Sequence, residues 1–228
     1  MPSLLIADDH PLFRAALAQA VRGLVPGLRV LEAESLEAAR QQLLAHPEIE
    51  LLLLDLHMPG SQGLVGLAAL RGEFPQVPVL MVSAQDDPAV IRRALAYGAT
   101  GYVPKSLDLA GIRDALDTVL AGGTWLPPEL QAAVQADPVD PADRDVASRL
   151  ARLTPQQVRV LQLLARGRLN KQIADSLGIQ ERTVKAHVSA IFERLGVRNR
   201  TQAGVLLSSL ELADPTRLRA SADLGEAV

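Results

Sequence analysis

Cysteine is absent from this chain of 228 residues. That excludes disulfides, thiolate metal sites and cysteine nucleophiles together, and it fits a reducing compartment. Aromatic residues make up only 3%, so aliphatic side chains must fill the cores. No apolar run approaches the roughly 20 residues that a membrane-spanning helix needs. The opening MPSLLIADDHPLF meets Asp8 and Asp9 where a signal peptide would keep an apolar stretch. The expectation is a cytoplasmic protein. Lysine is scarce too: Lys105, Lys171 and Lys185 stand against 20 arginines. The two residues are not interchangeable, and lysine is retained where a compact point charge is useful.

The hydrophobic fraction of 48% excludes disorder, and the length allows two ordinary domains. Net charge is only -3 but is unevenly spread. Residues 1–148 carry 10 Lys+Arg against 19 Asp+Glu, whereas residues 149–212 carry 11 against 4. A compact basic segment behind an acidic one implies that only the second meets a polyanion.

Five β-type runs, Ser3–Ala7, Leu28–Ala33, Ile49–Leu54, Val77–Val82 and Thr100–Val103, alternate with stretches of helical spacing such as Leu12, Ala16, Leu17 and Val21. The runs IELLLL and VPVLMV are almost wholly apolar, as in strands covered on both faces. The reading is an α/β fold, a doubly wound five-stranded parallel sheet. Gly122-Gly123, Pro127-Pro128, Pro138 and Pro141 then read as linker chemistry, with a short helix over Glu129–Ala136. From Leu150 the pattern is all-α: helices over Thr154–Arg166, Lys171–Leu177 closed by Gly178, Glu181–Leu195 closed by Gly196, and Thr201–Leu210. The division is residues 1–121, a linker at 122–149, a four-helix domain at 150–212 and a flexible tail at 213–228.

Asp8 and Asp9 follow the first run, Asp55 ends the third, Ser83 follows the fourth and Lys105 the fifth. In a doubly wound sheet these are carboxyl ends of parallel strands, the edge where such sheets bind ligands. Three clustered carboxylates repel one another, and a hard divalent cation such as Mg²⁺ resolves the repulsion. Asp55 beside such a cation is a candidate nucleophile toward phosphorus, with the ammonium of Lys105 and the hydroxyl of Ser83 neutralising the equatorial oxygens. The side chains of His10 and His57 read as structural.

The set Asp-Asp-His-Pro, Asp-Leu-His-Met-Pro-Gly, Ser83-Ala84 and Gly101-Tyr102-Val103-Pro104-Lys105 resembles a receiver domain over about residues 3–120. The resemblance implies that Asp55 takes a phosphoryl group from a sensor histidine kinase. It implies that Asp9 and Asp55 bind Mg²⁺ directly, with the backbone carbonyl of His57 as a further ligand and Asp8 acting through water. Ser83 and Tyr102 match the switch pair that moves on phosphorylation and remodels the face built from the fourth helix, fifth strand and fifth helix.

Leu153–Ala203 resembles the LuxR-type, or GerE-type, helix-turn-helix, so the whole chain resembles a NarL/FixJ-type response regulator of a two-component system. In the third helix of this part, Val184, Val188, Ile191 and Leu195 form the inward stripe. Arg182, Lys185, Ala186, Ser189 and Glu193 are left on an outward face suited to a DNA major groove. Lys185 is the leading base contact, and Ala186 suits a thymine methyl. Thr183, His187, Arg194, Arg198, Asn199 and Arg200 read as phosphate partners, as do Asn170 and Lys171 at a helix N-terminus. Three positions depart from the family pattern. Gln157 stands where Glu is usual, so a buried or capping salt bridge is expected to be missing. Ser189 is short and neutral where relatives are often basic. Gln180 replaces a Ser cap.

The expected function is phosphorylation-dependent transcriptional regulation, not enzymatic turnover. The partners expected are a sensor kinase, promoter DNA and a second copy of the chain, with RNA polymerase a further candidate. Three alternatives fit parts of the pattern. A protein-interaction regulator with a relic DNA domain is opposed by Lys185 and the basic balance of residues 149–212. A phosphorylation-independent regulator is opposed by the complete acidic set. A phosphatase with an Asp nucleophile needs an acid two positions after Asp55, and His57 stands there.

Overall fold

The computed structural model describes residues 3–25, 27–58 and 63–210. The tail at 213–228 and the last two positions of the 150–212 segment lie outside the described residues.

Five strands, β1 (Ser3–Ala7), β2 (Arg29–Ala33), β3 (Ile49–Asp55), β4 (Val79–Ser83) and β5 (Gly101–Pro104), form one parallel sheet in the order β2-β1-β3-β4-β5. Helices α1 (Pro11–Leu24), α2 (Leu36–Ala45), α3 (Leu64–Glu73), α4 (Pro88–Ala96) and α5 (Leu109–Leu120) cover both faces. Side chains alternate along each strand, which divides the core in two. Leu4, Ile6, Leu51, Leu53, Leu80 and Val82 pack under α1 and α5 with Val21, Ala115 and Leu116. Leu5, Leu52, Leu54 and Met81 pack toward α2, α3 and α4 with Ala39, Leu67 and Ile91. On α1 the buried residues are Leu17, Ala18 and Val21, while Leu12 points out. The fourth run begins two residues later than its apolar pattern, at Val79, because Pro78 has no N–H to give to the ladder.

The stretch read as a linker is ordered. After Gly122-Gly123 the chain returns to the sheet edge, where Trp125 bridges to Gly101 and its Nε1 donates to Asp114 at 2.8 Å. Two helices follow, α6 (Pro128–Ala136) and α7 (Pro141–Leu150). Sequence reasoning missed α7 because its prolines read as breakers. Pro141 instead sits at the first turn, behind Asp140, whose side chain accepts from Ala142 N at 2.8 Å. The remaining helices are α8 (Pro155–Ala165), α9 (Asn170–Leu177), α10 (Glu181–Leu195) and α11 (Arg200–Leu210), close to the expected bounds. Gly178 and Gly196 end α9 and α10 at φ of 64° and 70°, the left-handed conformation that favours glycine.

The core under α3 and α4 continues without a break into the C-terminal helices through Ala147, Leu150, Leu153, Val158 and Leu161. Helix α7 packs on α3 and α4, and α11 packs on α8 and α3. Gly72 of α3 lies so close to the backbone of Ala151 that an added Cβ would collide with it. Gly72→Ala should therefore push α3 and the α7–α8 turn apart while leaving the strand-end residues untouched. Small-angle scattering should show a larger radius of gyration than wild type. An unchanged radius would mean that Gly72 does not set this contact.

Candidate functional site

The fold brings the predicted acidic residues to one sheet edge. Asp8 and Asp55 are buried and Asp9 is partly exposed. The Asp8 N–H is tied to Ala33 O, and Asp8 Oδ1 accepts the backbone N–H of His10 at 2.8 Å. Lys105 Nζ lies 2.8 Å from Asp8 Oδ2 and 3.3 Å from Asp55 Oδ2, and it stacks over the Phe13 ring at 4.6 Å. The ammonium is within ion-pair distance of both oxygens. Burial pushes the Asp55 carboxyl above the ordinary carboxylate range. Lys105 pulls the other way, and the charge of Asp8 adds to the rise.

Ligand atoms of Asp8, Asp9, His10 and Asp55 all lie within 4.8 Å of one another. Three carboxylates against one ammonium leave two negative charges, and Asp9 Oδ1 is buried without a hydrogen-bond partner among the described residues. The donor set and its charge therefore fit a divalent cation. Sequence reasoning set His10 aside, yet its Nδ1 lies 3.0 Å from Asp9 Oδ1 and 3.3 Å from Asp8 Oδ1. It also overlooked Arg14, whose Nη1 donates to Asp8 O at 2.5 Å. An arginine one turn into the helix after the acidic pair was the available signal.

Ser83 is fully buried at the end of β4, and its Oγ accepts Gln85 N–H at 3.2 Å. Tyr102 is fully buried, and its hydroxyl donates to Gln85 O at 3.0 Å. Burial pushes that hydroxyl up to about 12, with a hydrogen bond to Ser83 opposing the rise, so it remains a donor. Both predicted switch residues thus hold the same residue of the β4–α4 loop. Helix α4 in turn carries two arginines that reach the C-terminal elements. Arg92 Nη1 donates to Ala133 O of α6 at 2.9 Å, and Arg93 Nη2 donates to Ser209 O of α11 at 2.7 Å. Arg93 Nε and the Tyr97 hydroxyl approach Asp143 of α7 at 3.4 and 3.5 Å.

In the basic part, Val184, Ile191 and Leu195 of α10 are buried and Val188 is partly buried, whereas Arg182, Lys185, Ala186, Ser189 and Glu193 are exposed. Lys185 Nζ pairs with Glu181 at 3.1 Å, an exposed contact worth little and easily surrendered. The Ser189 hydroxyl donates back to Lys185 O at 3.1 Å. Thr183 and His187 are half-buried on the same helix; Asn170 and Lys171 open α9. Arg194 Nη1 donates to Arg152 O at 2.7 Å and to Gln157 Oε1 at 2.6 Å. Arg200 Nη2 donates to Leu164 O and Arg168 O. Asn199 Oδ1 accepts Gln202 N at the start of α11, and Arg198 is exposed. So Gln157 substitutes for the expected Glu without loss of the cap: Thr154 and Gln157 exchange both bonds of a capping box, and the partner of Arg194 is a neutral amide. Gln180 gives α10 no side-chain cap, as its identity suggested.

The burial of Asp55 has a consequence for stability. A carboxyl whose pKa is raised on folding contributes stability below the unfolded carboxylate range and loses it as pH rises through the raised value. At neutral pH, above the unfolded carboxylate range, the raised value is a cost to folding. Asp55→Asn should raise the thermal midpoint of the cation-free protein, by about 2–4 °C for each kcal/mol relieved. Calorimetry at neutral pH checks this, and a lowered midpoint would show that the pair with Lys105 outweighs burial.

Two family models match the chain: the response regulator receiver domain over residues 4–117 and the bacterial regulatory proteins of the luxR family over residues 151–207. Among similar proteins is the glycerol metabolism activator of Pseudomonas putida, 42% identical across 89% of this chain and 93% of its own length. The nitrate/nitrite response regulator protein NarL of Escherichia coli K12 is 32% identical, with 89% and 93% covered. A Salmonella typhimurium RcsB structure shares the fold at TM-score 0.54 and 24% identity, covering 91% of this chain and 98% of that one. No helix among the described residues is long and apolar enough to cross a membrane. A receiver domain with its acidic strand-end cluster, followed in the same chain by a LuxR-type helix-turn-helix, places this protein in the family of NarL/FixJ-type two-component response regulators.

Proposed function

We propose that the chain is a phosphorylation-dependent transcriptional regulator acting in the cytoplasm, in which Asp55 accepts a phosphoryl group from a sensor histidine kinase. The observation that carries this reading is the placement of Lys105 between the buried carboxylates of Asp8 and Asp55. An oxygen of Asp55 attacks phosphorus while the bond from phosphorus to the kinase histidine breaks. Asp9, Asp55 and the His57 carbonyl would hold Mg²⁺, with Asp8 acting through water, and the cation would neutralise charge on the phosphoryl oxygens. Lys105 and the Ser83 hydroxyl would contact those oxygens. His57, two positions after Asp55, offers no acid for turnover, which favours a switch over an enzyme.

The switch we infer runs through Gln85. Once Ser83 turns toward the phosphoryl group, Gln85 loses that partner and Tyr102 must repack, which shifts α4 and its grip on α6, α7 and α11. Residues 1–121 would act as the sensing unit and residues 150–212 as the DNA-binding unit, with the ordered segment 122–149 between them. Lys185 and Ala186 would read bases in the major groove. Arg182, Thr183, His187, Asn170, Lys171, Arg198 and Asn199 would contact phosphates or position the helix. Arg194 and Arg200 would reach phosphates with nitrogens other than those that brace α8. Ser189, bonded to its own helix, is the weakest base reader of the set. Helix α11 would contribute to a homodimer, and RNA polymerase is a further partner. RcsB of the same fold has been solved as a DNA complex and as dimers on DNA, which supports the reading.

Incubation with acetyl phosphate and Mg²⁺ should add one phosphoryl group by intact mass, shift the protein toward dimer, and tighten binding to promoter fragments. Asp55→Asn should do none of these; a variant that dimerises and binds DNA as the phosphorylated protein does would refute the switch. Within the DNA interface, Lys185→Ala should cost about 1–3 kcal/mol and relax base preference at one position. Arg198→Ala should instead weaken all sequences alike and reduce the salt dependence by about one ion. Gel-shift titrations over salt distinguish the two, and equal effects would remove Lys185 from base reading.

A further inference from the structure

We propose that the imidazole of His10 is itself a ligand in the acidic site, so that the site, besides taking Mg²⁺ through its oxygens, binds an imidazole-seeking divalent transition ion such as Ni²⁺ through a nitrogen as well. The proposal rests on the reading that Asp8, Asp9 and Asp55 hold a divalent cation, and adds a nitrogen donor to that set.

His10 is not free to wander. Its backbone N–H is fixed to Asp8 Oδ1 at 2.8 Å, Pro11 begins α1 immediately after it, and Arg14 clamps Asp8 O from one turn on. The imidazole caps nothing: α1 has no side-chain cap bond. Instead Nδ1 lies 3.0 Å from Asp9 Oδ1 and 3.3 Å from Asp8 Oδ1. These separations would allow hydrogen bonds, but the directions do not. Asp9 Oδ1 is buried and has no hydrogen-bond partner among the described residues, although Nδ1 is so near. Nitrogen and oxygen therefore lie side by side instead of pointing at one another. Neighbouring ligands of an octahedral ion, each about 2.1 Å from it, are about 3 Å apart, which is the spacing seen here.

The charges divide in the same way. Lys105 occupies the Oδ2 side of Asp8 and Asp55, while His10 faces Oδ1 of Asp8 and of Asp9. The ammonium and the imidazole thus sit on different edges of the cluster, and the one ammonium compensates only one of its three carboxylates. The His10 side chain is 56% exposed, so an ion has an entry path. An all-oxygen set suits Mg²⁺, whereas an imidazole donor suits transition ions such as Fe²⁺ and Ni²⁺. One histidine beside the acidic pair thereby widens the set of ions the site holds.

Untagged full-length protein should be titrated calorimetrically with MgCl₂ and with NiCl₂, in wild type and in His10→Asn. Asparagine is a strong N-cap, so α1 keeps its start, and its amide oxygen still suits Mg²⁺. The expected result is a loss of Ni²⁺ affinity of about tenfold or more with Mg²⁺ changed by less than about twofold. Mn²⁺-loaded wild type should show imidazole nitrogen modulation by electron spin echo, and His10→Asn should lack it. If nitrogen modulation persists in His10→Asn, another imidazole such as His57 is the ligand and the proposal fails. If wild type binds Mg²⁺ and Mn²⁺ without nitrogen modulation, or His10→Asn weakens both ions equally, His10 is not a ligand while the cation site stands. If wild type binds neither ion, the cation reading fails together with this one.

Discussion

The ammonium of Lys105, held between the buried carboxylates of Asp8 and Asp55, is the interaction on which the sheet edge depends. Two ionised carboxylates at that depth are stable only with cationic charge close by. The same lysine anchors more than charge. Its backbone N–H donates to Ser83 O at 2.7 Å, which fastens the end of β5 to the end of β4, and its Nζ rests on Phe13 of α1. One residue therefore links three neighbouring elements around the acidic cluster. Because a single ammonium leaves that cluster negative, the edge is built to gain cationic charge and is strained without it. Under the proposed phosphorylation of Asp55, negative charge would be added there and the surroundings of Lys105 would have to accommodate it.

Ser83 and Tyr102 are placed to feel that rearrangement, and Gln85 is where they meet. The geometry downstream is economical. Helix α4 starts two residues after Asp86, is capped by Asp87, and presents Arg92, Arg93 and Tyr97 within two turns. Those side chains reach α6, α7 and α11. Each contact is modest, being an exposed or half-exposed bond to a carbonyl or carboxylate. Modest contacts suit a switch: the two arrangements of such a protein must differ by only a few kcal/mol for one charge to choose between them.

The parallel sheet and its edge cluster were legible from sequence because both rest on strong, local signals. Apolar runs such as IELLLL and VPVLMV fit a covered parallel sheet, and the polar residue at or after the end of such a run falls at its carboxyl edge. Helix α7 was not legible. PADRDVASRL buries only Ala147 and Leu150, too few apolar residues to show a period, and Pro138 and Pro141 outweighed the Asp140–Pro141 start signal. His10 was passed over for a different reason. Its side chain belongs to the site through the backbone bond that turns it onto Asp8, and a turn of that kind follows from three-dimensional packing, not from residue type. Gln157 shows the converse: a departure from pattern that looked like a lost salt bridge keeps its cap, since an amide oxygen accepts from Thr154 and Arg194 alike.

The two surfaces of the DNA-binding half are treated differently by the rest of the molecule. Helix α10 keeps Lys185, Ala186 and Ser189 exposed while the halves are docked. Helix α11 packs inward through Ala203, Leu207 and Leu210 and is gripped at Ser209 by Arg93. An exposed reading helix does not need to be uncovered. What the docked arrangement holds is α11, and under the proposed switch it would also limit the freedom of the domain to reorient against a second copy. Two half-sites about one helical turn apart demand such reorientation from a dimer, and one domain on one half-site gains little affinity alone. The acidic edge would then govern DNA binding through pairing: by releasing α11 and α7, phosphorylation would convert two weak readers into one bivalent reader without altering a single base contact.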